Sequence, residues 1–275
     1  MNDVPAKAQS WQQERNLLEQ AARKAGQLAL NYFNRDPQVW SKANDSPVTE
    51  ADLAVDRMLH KDLLGARPGF GWLSEETEDS AVRRSKDMVF VVDPIDGTRA
   101  FINGEDVWTI SIAIVRDDRP VVAALYAPVR DEMYLASHAD GAFMNGKAVS
   151  VKERKDLSGV RAVGPSSVIR KGPIHDKGAN WTGYIGSLAY RVAMLADNKA
   201  DLALARSGAH DWDLAAADLI ISEAGGILRE DMGKILTYNK SVPRHGALYA
   251  CSPELEPVIQ PIMPKLKFPA RTPRP

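Results

Sequence analysis

The chain lacks most of the features that mark secreted, membrane-spanning or zinc-binding proteins. Its 275 residues include one cysteine, Cys251, which leaves no partner for an intramolecular disulfide and no Cys/His cluster with zinc spacing. No stretch approaches the roughly 18 apolar residues of a membrane span, and the charged N-terminus has no apolar segment typical of a signal peptide. We therefore expect a cytoplasmic protein.

The sequence also has no excess of charge of one sign and no low-complexity segment. The 35 basic and 36 acidic side chains give a net charge of −1, which argues against a nucleic acid polymer as partner. Hydrophobic residues make up 44% and charged residues 26%, as in ordinary globular proteins. We predict a single fold over residues 1–265, with a subdomain seam, if there is one, near 149–157. Residues 266–275 are predicted to form a flexible tail.

Two amphipathic helices are predicted near the N-terminus. Ser10 begins a capping-box pattern ahead of apolar residues at helical spacing over 18–32, and Thr49 begins a second such pattern. A short apolar run at 88–92 then predicts a buried strand that stops at Asp93-Pro94.

Strands and helices alternate in the rest of the chain. Alternation of apolar and small or polar residues over 107–115, continued at 121–126 and 132–136, predicts neighbouring strands. The predicted elements of the second half are strands at 161–163 and 201–205, helices at 187–196 and 212–224, and strands near Ile227 and Ala247. This order predicts layers of α and β structure.

Three separated segments place carboxylates at predicted turns. They are Glu75-Glu76, the hexapeptide Asp-Pro-Ile-Asp-Gly-Thr at 93–98, and Asp213. Oxygen ligands suit hard cations such as Mg²⁺, and a pair of such ions can stabilise both oxygens of an in-line phosphoryl displacement. Each segment alone has an ordinary interpretation: a solvated acidic face, a common turn, or an acid at a helix start. They indicate a site only if the fold brings them together.

In combination, these segments resemble the inositol monophosphatase superfamily over most of the chain, from about Ser10 to Cys251. The family pattern contains a Glu pair, Asp-Pro-x-Asp-Gly-Thr, Trp-Asp followed by Gly-Gly, and an upstream Lys ahead of Ser-Pro-Val-Thr-x-x-Asp. The matching positions are Glu75-Glu76, Asp93 to Thr98, Trp212-Asp213, Gly225-Gly226, Lys42 and Ser46 to Asp52. The resemblance implies an α/β fold of five layers, an αβαβα sandwich. It also implies a Mg²⁺-dependent phosphomonoesterase that is a homodimer and acts on a small-molecule phosphate ester.

The resemblance further implies a set of residues that hold two or three Mg²⁺ ions. They are Glu75, Glu76, Asp93, the main-chain carbonyl of Ile95, Asp96 and Asp213. The first ion would lie on Glu75, Asp93 and Ile95, and the second on Asp93, Asp96 and Asp213. A third, weaker ion would use Glu75 and Glu76.

Other matched residues would act on the attacking water and the phosphate. Thr98, with Asp52 behind it, would hold the water that the metal activates, and Lys42 would lie near that water. The N–H groups of Gly97 and Thr98 would bind the phosphate. For Asp52 the alternative is a helix cap, since Thr49 already begins a capping pattern.

The substrate is predicted from a departure from the inositol-selective pattern. Those members commonly place a Glu seven residues before the last metal-binding Asp, where this chain has Arg206. A guanidinium cannot accept hydrogen bonds from ring hydroxyls, but it pairs well with a second phosphate. The sequence looks closer to the 3′(2′),5′-bisphosphate nucleotidases, which carry Arg at this position and a basic residue near Arg191. We predict that Arg206, Arg191 and Ser187 bind the substrate, 3′-phosphoadenosine 5′-phosphate.

Three alternatives stay open. Arg191 matches the nucleotidase pattern only with a shift of one residue, and it would otherwise be a solvated charge on a helix. The same metal site would serve an inositol-1-phosphate phosphatase or a broad phosphatase for sugar phosphates or histidinol phosphate. A non-catalytic member would bind a phosphorylated ligand or a protein, but the complete acidic set argues against this.

Overall fold

The computed structural model describes residues 10–35, 38–41 and 47–268. Helix α1 (Gln12–Leu30) begins after Trp11, which is buried and has the guanidinium of Arg116 over its ring at 5.0 Å. The capping box predicted at Ser10 is wrong, because burial of Trp11 sets the helix start and no side chain caps it. Within the described residues no helix has both the length and the apolar character to cross a membrane.

Helix α2 (Glu50–Ala66) begins with the predicted capping box. It follows an antiparallel pair of short strands, β1 (Val39–Ser41) and β2 (Pro47–Thr49). The Thr49 hydroxyl accepts hydrogen bonds from the N–H groups of Ala51 and Asp52, and Asp52 Oδ2 accepts the Thr49 N–H at 2.8 Å. The cap fixes Asp52 at the first turn of the helix.

Seven strands form the first sheet in sequential order. They are β3 (Gly71–Ser74), β4 (Met88–Asp96), β5 (Thr109–Arg116), β6 (Arg119–Ala127), β7 (Glu132–Ser137), β8 (Gly141–Met144) and β9 (Lys147–Ala148). Strands β3 and β4 are parallel and every other neighbouring pair is antiparallel. A 3₁₀ turn (Ala81–Ser85) precedes β4, and the short helix α3 (Thr98–Ile102) follows it.

Strand β4 continues past its predicted end. Asp93 pairs with Ser111 and Asp96 with Thr109, so that the strand has one extra residue between these pairs. Pro94 lies in this irregular stretch, where a missing N–H costs no ladder hydrogen bond. The bulge therefore lets the strand carry both aspartates.

The second sheet has five strands in the order β11-β10-β12-β14-β13. They are β10 (Arg161–Val163), β11 (Asn180–Gly183), β12 (Leu202–Ala205), β13 (Ile227–Glu230) and β14 (Leu248–Cys251). The helices of this half are α4 (Ser166–Ile169), α5 (Pro173–Asp176), α6 (Leu188–Ala193), α7 (Asp211–Glu223) and α8 (Glu256–Ile259). Three further 3₁₀ turns lie at Asp231–Gly233, Pro253–Leu255 and Met263–Lys265.

Three buried clusters separate five layers. Phe90 and Val92 of β4 pack with α1 and α2, whereas the intervening Val89 and Val91 pack on the other face, toward α6 and α7. This alternation explains why residues 88–92 of β4 are all apolar, since both faces of the sheet are covered. The third cluster covers the outer face of the second sheet with α4, α5 and α8. The predicted αβαβα sandwich is confirmed.

The two sheets are linked by residues 149–160, which contain no helix or strand. Asp201, just before β12, ties this linker to β10, because its buried carboxylate pairs with Arg154 at 3.2 Å and Arg161 at 2.9 Å. Burial alone would raise the pKa of Asp201, but the hydrogen bonds from Arg161 and Arg154 lower it to about 2. A division into subdomains at 149–157 stays a prediction, and residues 269–275 of the predicted tail lie outside the described residues.

Candidate active site

Three acidic side chains meet where β3 and β4 end. The two strands are parallel, so their carboxyl ends reach the same edge, and the N–H of Glu75 donates to the carbonyl of Val92 at 3.2 Å. The first turn of α7 brings Asp213 to this edge from the layer between the sheets. One carboxylate oxygen each of Glu75, Asp93 and Asp213 lie within 4.8 Å of one another. We call these three residues the acidic cluster.

The acidic cluster concentrates negative charge in a buried place. Asp93 is 1% exposed, and its Oδ1 accepts the N–H of Ile95 at 3.0 Å. Burial, followed by the charges of Glu75, Asp96 and Asp213, raises the pKa of Asp93 well above its ordinary value. Three close carboxylates with only oxygen donors fit a hard divalent cation, which would offset this charge.

Asp96 lies outside the acidic cluster. Its two carboxylate oxygens accept hydrogen bonds from Ser187 Oγ at 2.6 Å and from the N–H groups of Ala189 and Leu188 at 2.7 and 3.2 Å. Burial raises its pKa to about 6, although these hydrogen bonds act in the opposite direction. Asp96 is not one of the three carboxylates that lie within 4.8 Å of one another, and in this structure it holds the start of α6. Its place on a second ion with Asp93 and Asp213 stays a prediction.

Ser187 is completely buried and belongs to the same contact. Besides donating to Asp96, its oxygen lies 3.0 Å from Thr109 Oγ1 and accepts the Tyr190 N–H at 3.0 Å, which caps α6. The hydroxyl makes its contacts inside the protein in this structure, and a role of Ser187 in substrate binding stays a prediction. Gly97 permits this packing: its φ is +102°, and a Cβ there would lie 3.2 Å from the Ser187 nitrogen.

Thr98 and Asp52 are in contact, as the sequence predicts. Thr98 Oγ1 lies 3.2 Å from both Asp52 Oδ1 and the carbonyl oxygen of Ile95. The other oxygen of Asp52 accepts from Thr49, so Asp52 caps α2 and contacts Thr98 at once. Burial raises the pKa of Asp52 to about 6, and the charge of Glu75 acts in the same direction.

Glu76 and Lys42 are the two remaining residues predicted near the metal ions and the attacking water. The Glu76 N–H donates to Ser74 Oγ at 3.3 Å, and the Glu76 charge helps to raise the pKa of Asp93, so Glu76 lies close to the acidic cluster. Lys42 lies outside the described residues.

Arg191 is not a solvated charge. The residue is 4% exposed, and Nη1 and Nη2 each donate one hydrogen bond, to the carbonyls of Leu204 at 3.1 Å and Ile185 at 3.0 Å. Its guanidinium covers the Tyr184 ring at 4.8 Å. The alternative of a solvated helical charge is therefore wrong, and a role of Arg191 in substrate binding stays a prediction. Burial lowers its pKa, and the nearby charge of Arg206 acts in the same direction.

The loop between β12 and α7, which contains Arg206, is hydrogen-bonded to a second segment that was not predicted from the sequence. Gly208 N–H donates to the His245 carbonyl at 2.9 Å, and His245 N–H donates to the Ala209 carbonyl at 2.8 Å. The buried imidazole of His245 lies between Asp211 at 2.8 Å and Glu230 at 3.2 Å. No motif marks this segment, and only the pairing of the two segments reveals it.

The model of the inositol monophosphatase family matches residues 10–262, and the chain belongs to this family. The names of the family and of its relatives identify the chain as a phosphoric monoester hydrolase. An "Inositol monophosphatase" of Dictyostelium discoideum is 32% identical over 225 residues, which are 75% of this chain and 80% of the relative.

Other relatives carry other names at similar identity. A "3′(2′),5′-bisphosphate nucleotidase CysQ" of Aggregatibacter actinomycetemcomitans is 29% identical over 228 residues, 80% of this chain and 85% of the relative. The crystal structure of "extragenic suppressor protein suhB" from Bartonella henselae has a TM-score of 0.80 and 26% identity. It covers 92% of this chain and 99% of that protein. These comparisons establish the family and leave the substrate to be inferred from the site.

Proposed function

We propose that the chain is a Mg²⁺-dependent phosphatase that removes the 3′-phosphate of 3′-phosphoadenosine 5′-phosphate, giving AMP and phosphate. Arg206 carries this proposal, because it adds positive charge to the loop that leads into Asp213. A substrate with a second phosphate matches such a guanidinium, whereas the hydroxyls of inositol do not need one. The similarity to a bisphosphate nucleotidase supports the same substrate.

The residues proposed to hold Mg²⁺ are those of the acidic cluster, with Glu76 and the Ile95 carbonyl beside it. Bound Mg²⁺ would supply Lewis acidity, which lowers the pKa of water and offsets charge on the phosphoryl oxygens. Asp96 is proposed to bind a second ion together with Asp93 and Asp213, and its hydrogen bonds also hold the start of α6 next to Gly97.

The chain's own groups would orient the water and take up its proton. Thr98 Oγ1 can donate to Asp52 while its lone pair accepts a hydrogen bond from water. As the water attacks phosphorus, its proton would pass to Thr98 Oγ1 and the Thr98 proton to Asp52 Oδ1. A pKa of about 6 allows Asp52 to hold a proton transiently near neutral pH. The N–H groups of Gly97 and Thr98 at the start of α3 are proposed to bind phosphate oxygens.

Arg206→Glu tests the substrate assignment. We expect kcat/KM for 3′-phosphoadenosine 5′-phosphate to fall by about a hundredfold or more, since a charge-assisted pair becomes a repulsion. For inositol-1-phosphate the fall should stay within about fivefold. Phosphate release from both esters, measured with wild type and variant at one Mg²⁺ concentration, checks this. Equal losses on both esters would remove Arg206 from substrate selection.

An inositol-1-phosphate phosphatase is the second candidate, and the Dictyostelium relative favours it. The wild-type protein separates the candidates by kcat/KM on the bisphosphate nucleotide, inositol-1-phosphate, histidinol phosphate and fructose 1,6-bisphosphate. Preference for inositol-1-phosphate would keep the proposed metal site and overturn the proposed substrate. We further propose that the protein is cytoplasmic, in line with its single, buried cysteine. That it is a homodimer is proposed from the family resemblance alone.

Mg²⁺ is expected to stabilise the protein more at pH 7.5 than at pH 5. Burial raises the folded-state pKa of Asp93 and Asp52, so the metal-free fold binds protons more tightly than the unfolded chain does. For Asp52 this contribution to stability is present below about pH 4 and is lost as the pH rises through its folded-state pKa of about 6. The contribution of Asp93 is lost with rising pH in the same direction. Mg²⁺ competes with these protons. At saturation we expect Tm to rise by about 5 °C at pH 7.5 and by less than half of that at pH 5.

Thermal unfolding with MgCl₂, and with NaCl at equal ionic strength, checks this dependence. A rise in Tm that is the same at both pH values, or that NaCl reproduces, would contradict cation binding at these carboxylates.

A further inference from the structure

Residues 206–210, between β12 and α7, pair with residues 243–246, just before β14. Two main-chain hydrogen bonds join the two segments, and a third, which Asp211 N–H donates to the Pro243 carbonyl at 3.1 Å, continues the pairing into the first residue of α7. His210 and Arg244 are direct partners in an antiparallel bridge. The pairing holds Arg244 beside the loop that leads into the acidic cluster.

The side chain of Arg244 lies across Gly208. A Cβ built on Gly208 would lie 3.0 Å from Nη2 and 3.5 Å from Nε of Arg244. Gly208 also has a φ of +105°, which an L side chain rarely adopts. Glycine therefore gives the guanidinium a defined place over the loop.

Arg244 has no counter-ion in the part of the chain that the structure describes. It is exposed, and neither an ion pair nor a side-chain hydrogen bond involves it there. Arg206 is two residues from Gly208, so their Cα atoms are at most about 7.6 Å apart. The loop of residues 206–210 and the segment paired with it thus carry one arginine each.

This positive loop is close to the acidic cluster. His210, the bridge partner of Arg244, donates its N–H to Asp213 Oδ2 at 2.7 Å. Antiparallel bridge partners have Cα atoms about 4.5–5.5 Å apart. A ligand with one phosphate at the acidic cluster can therefore present a second anionic group to this loop.

We propose that Arg244 is a specificity-determining residue, which with Arg206 forms a subsite for the second anionic group of the substrate. The inference rests on the proposed function and extends it by naming a second arginine. A guanidinium binds a phosphate with two parallel hydrogen bonds, and the missing side chain at Gly208 leaves room for that of Arg244 above the loop. The chemical class of ligand is a phosphate monoester that carries a second phosphate.

Arg244→Gln tests this subsite, with Arg84→Gln as the matched control. Arg84 is an exposed arginine on the 3₁₀ turn before β4, outside the paired segments. The readouts are kcat and KM for 3′-phosphoadenosine 5′-phosphate and for adenosine 3′-phosphate, which lacks the second phosphate. We expect R244Q to raise KM for the bisphosphate about tenfold or more, with kcat within about twofold. For the monophosphate KM should rise at most about twofold, and R84Q should change neither value.

Arg244→Lys adds a graded readout. It keeps the charge but loses the planar pair of donors, so its KM for the bisphosphate should lie between those of wild type and R244Q. If R244Q raises KM equally for both esters, or for neither, the subsite is overturned whatever the wild type prefers. If the wild type prefers single-phosphate esters but R244Q still weakens only ligands with two phosphates, the proposed substrate fails and the subsite stands.

Discussion

Asp93→Asn is expected to lower kcat by about a thousandfold or more and to leave the fold intact. The change removes one anionic oxygen ligand without changing the side-chain volume, and the loss corresponds to about 4 kcal/mol of transition-state stabilisation. Asn can still accept the N–H of Ile95, so the turn after Asp93 keeps its hydrogen bond. The Mg²⁺-dependent rise in Tm should disappear together with turnover.

The metal-free variant should be at least as stable as the metal-free wild type. Asp93 is buried beside other carboxylates, and replacing it by a neutral side chain relieves their repulsion. Asp87→Asn is the matched control, because Asp87 is exposed and immediately precedes β4, at the end opposite the acidic cluster. Full turnover in D93N, or an equal loss in D87N, would be incompatible with the assigned site.

Thr98→Val is expected to lower kcat by about a hundredfold with a small change in KM. Valine has nearly the shape of threonine but lacks the hydroxyl that contacts Asp52 and the Ile95 carbonyl. The loss lies in the range that a positioned proton-transfer group contributes. Steady-state kinetics at saturating Mg²⁺ measures it, and Thr98→Ser, which keeps the hydroxyl, should stay within about fivefold of wild type.

Asp52→Asn separates the two roles of Asp52. It should lower kcat as Thr98→Val does and leave Tm nearly unchanged, since an amide oxygen can still accept both hydrogen bonds from Thr49 and keep the cap of α2. If the two residues act as one unit, the double variant loses much less than the product of the single losses. Additive losses, or equal losses in T98V and T98S, would contradict the proposed proton path.

The sequence was most informative where local chemistry decides the structure. The capping box at Thr49 and the alternating or continuous apolar runs of the first sheet depend on neighbouring residues, and the structure has them. The family pattern predicts that Glu75, Asp93 and Asp213 lie close together, and they do. For Glu75 and Asp93 there is also a physical reason, because acids near the ends of adjacent parallel strands meet at one edge of the sheet.

The failures all involve contacts between distant segments. Ser10 has the right spacing for a cap, but tertiary burial of Trp11 sets the helix start. Arg191 looks like an exposed helical residue, yet it is buried against carbonyls from two other segments. The side chains of Arg191 and Ser187 make their hydrogen bonds inside the protein, and no pattern of neighbouring residues predicts this.

The five-layer arrangement separates the groups for bond cleavage from those for ligand choice. Glu75, Asp93, Thr98 and Asp52 belong to the first sheet or to the segments next to it, whereas Arg206 and Arg244 flank strands of the second sheet. Asp213 is the exception, since it follows the loop of Arg206 at the start of α7. The side chains of the second-sheet loops can therefore vary as long as the main-chain hydrogen bond from His210 to Asp213 is kept. This arrangement is consistent with a family whose relatives are named for different phosphate esters. Substrate selectivity can change in such a fold while the groups for bond cleavage are retained.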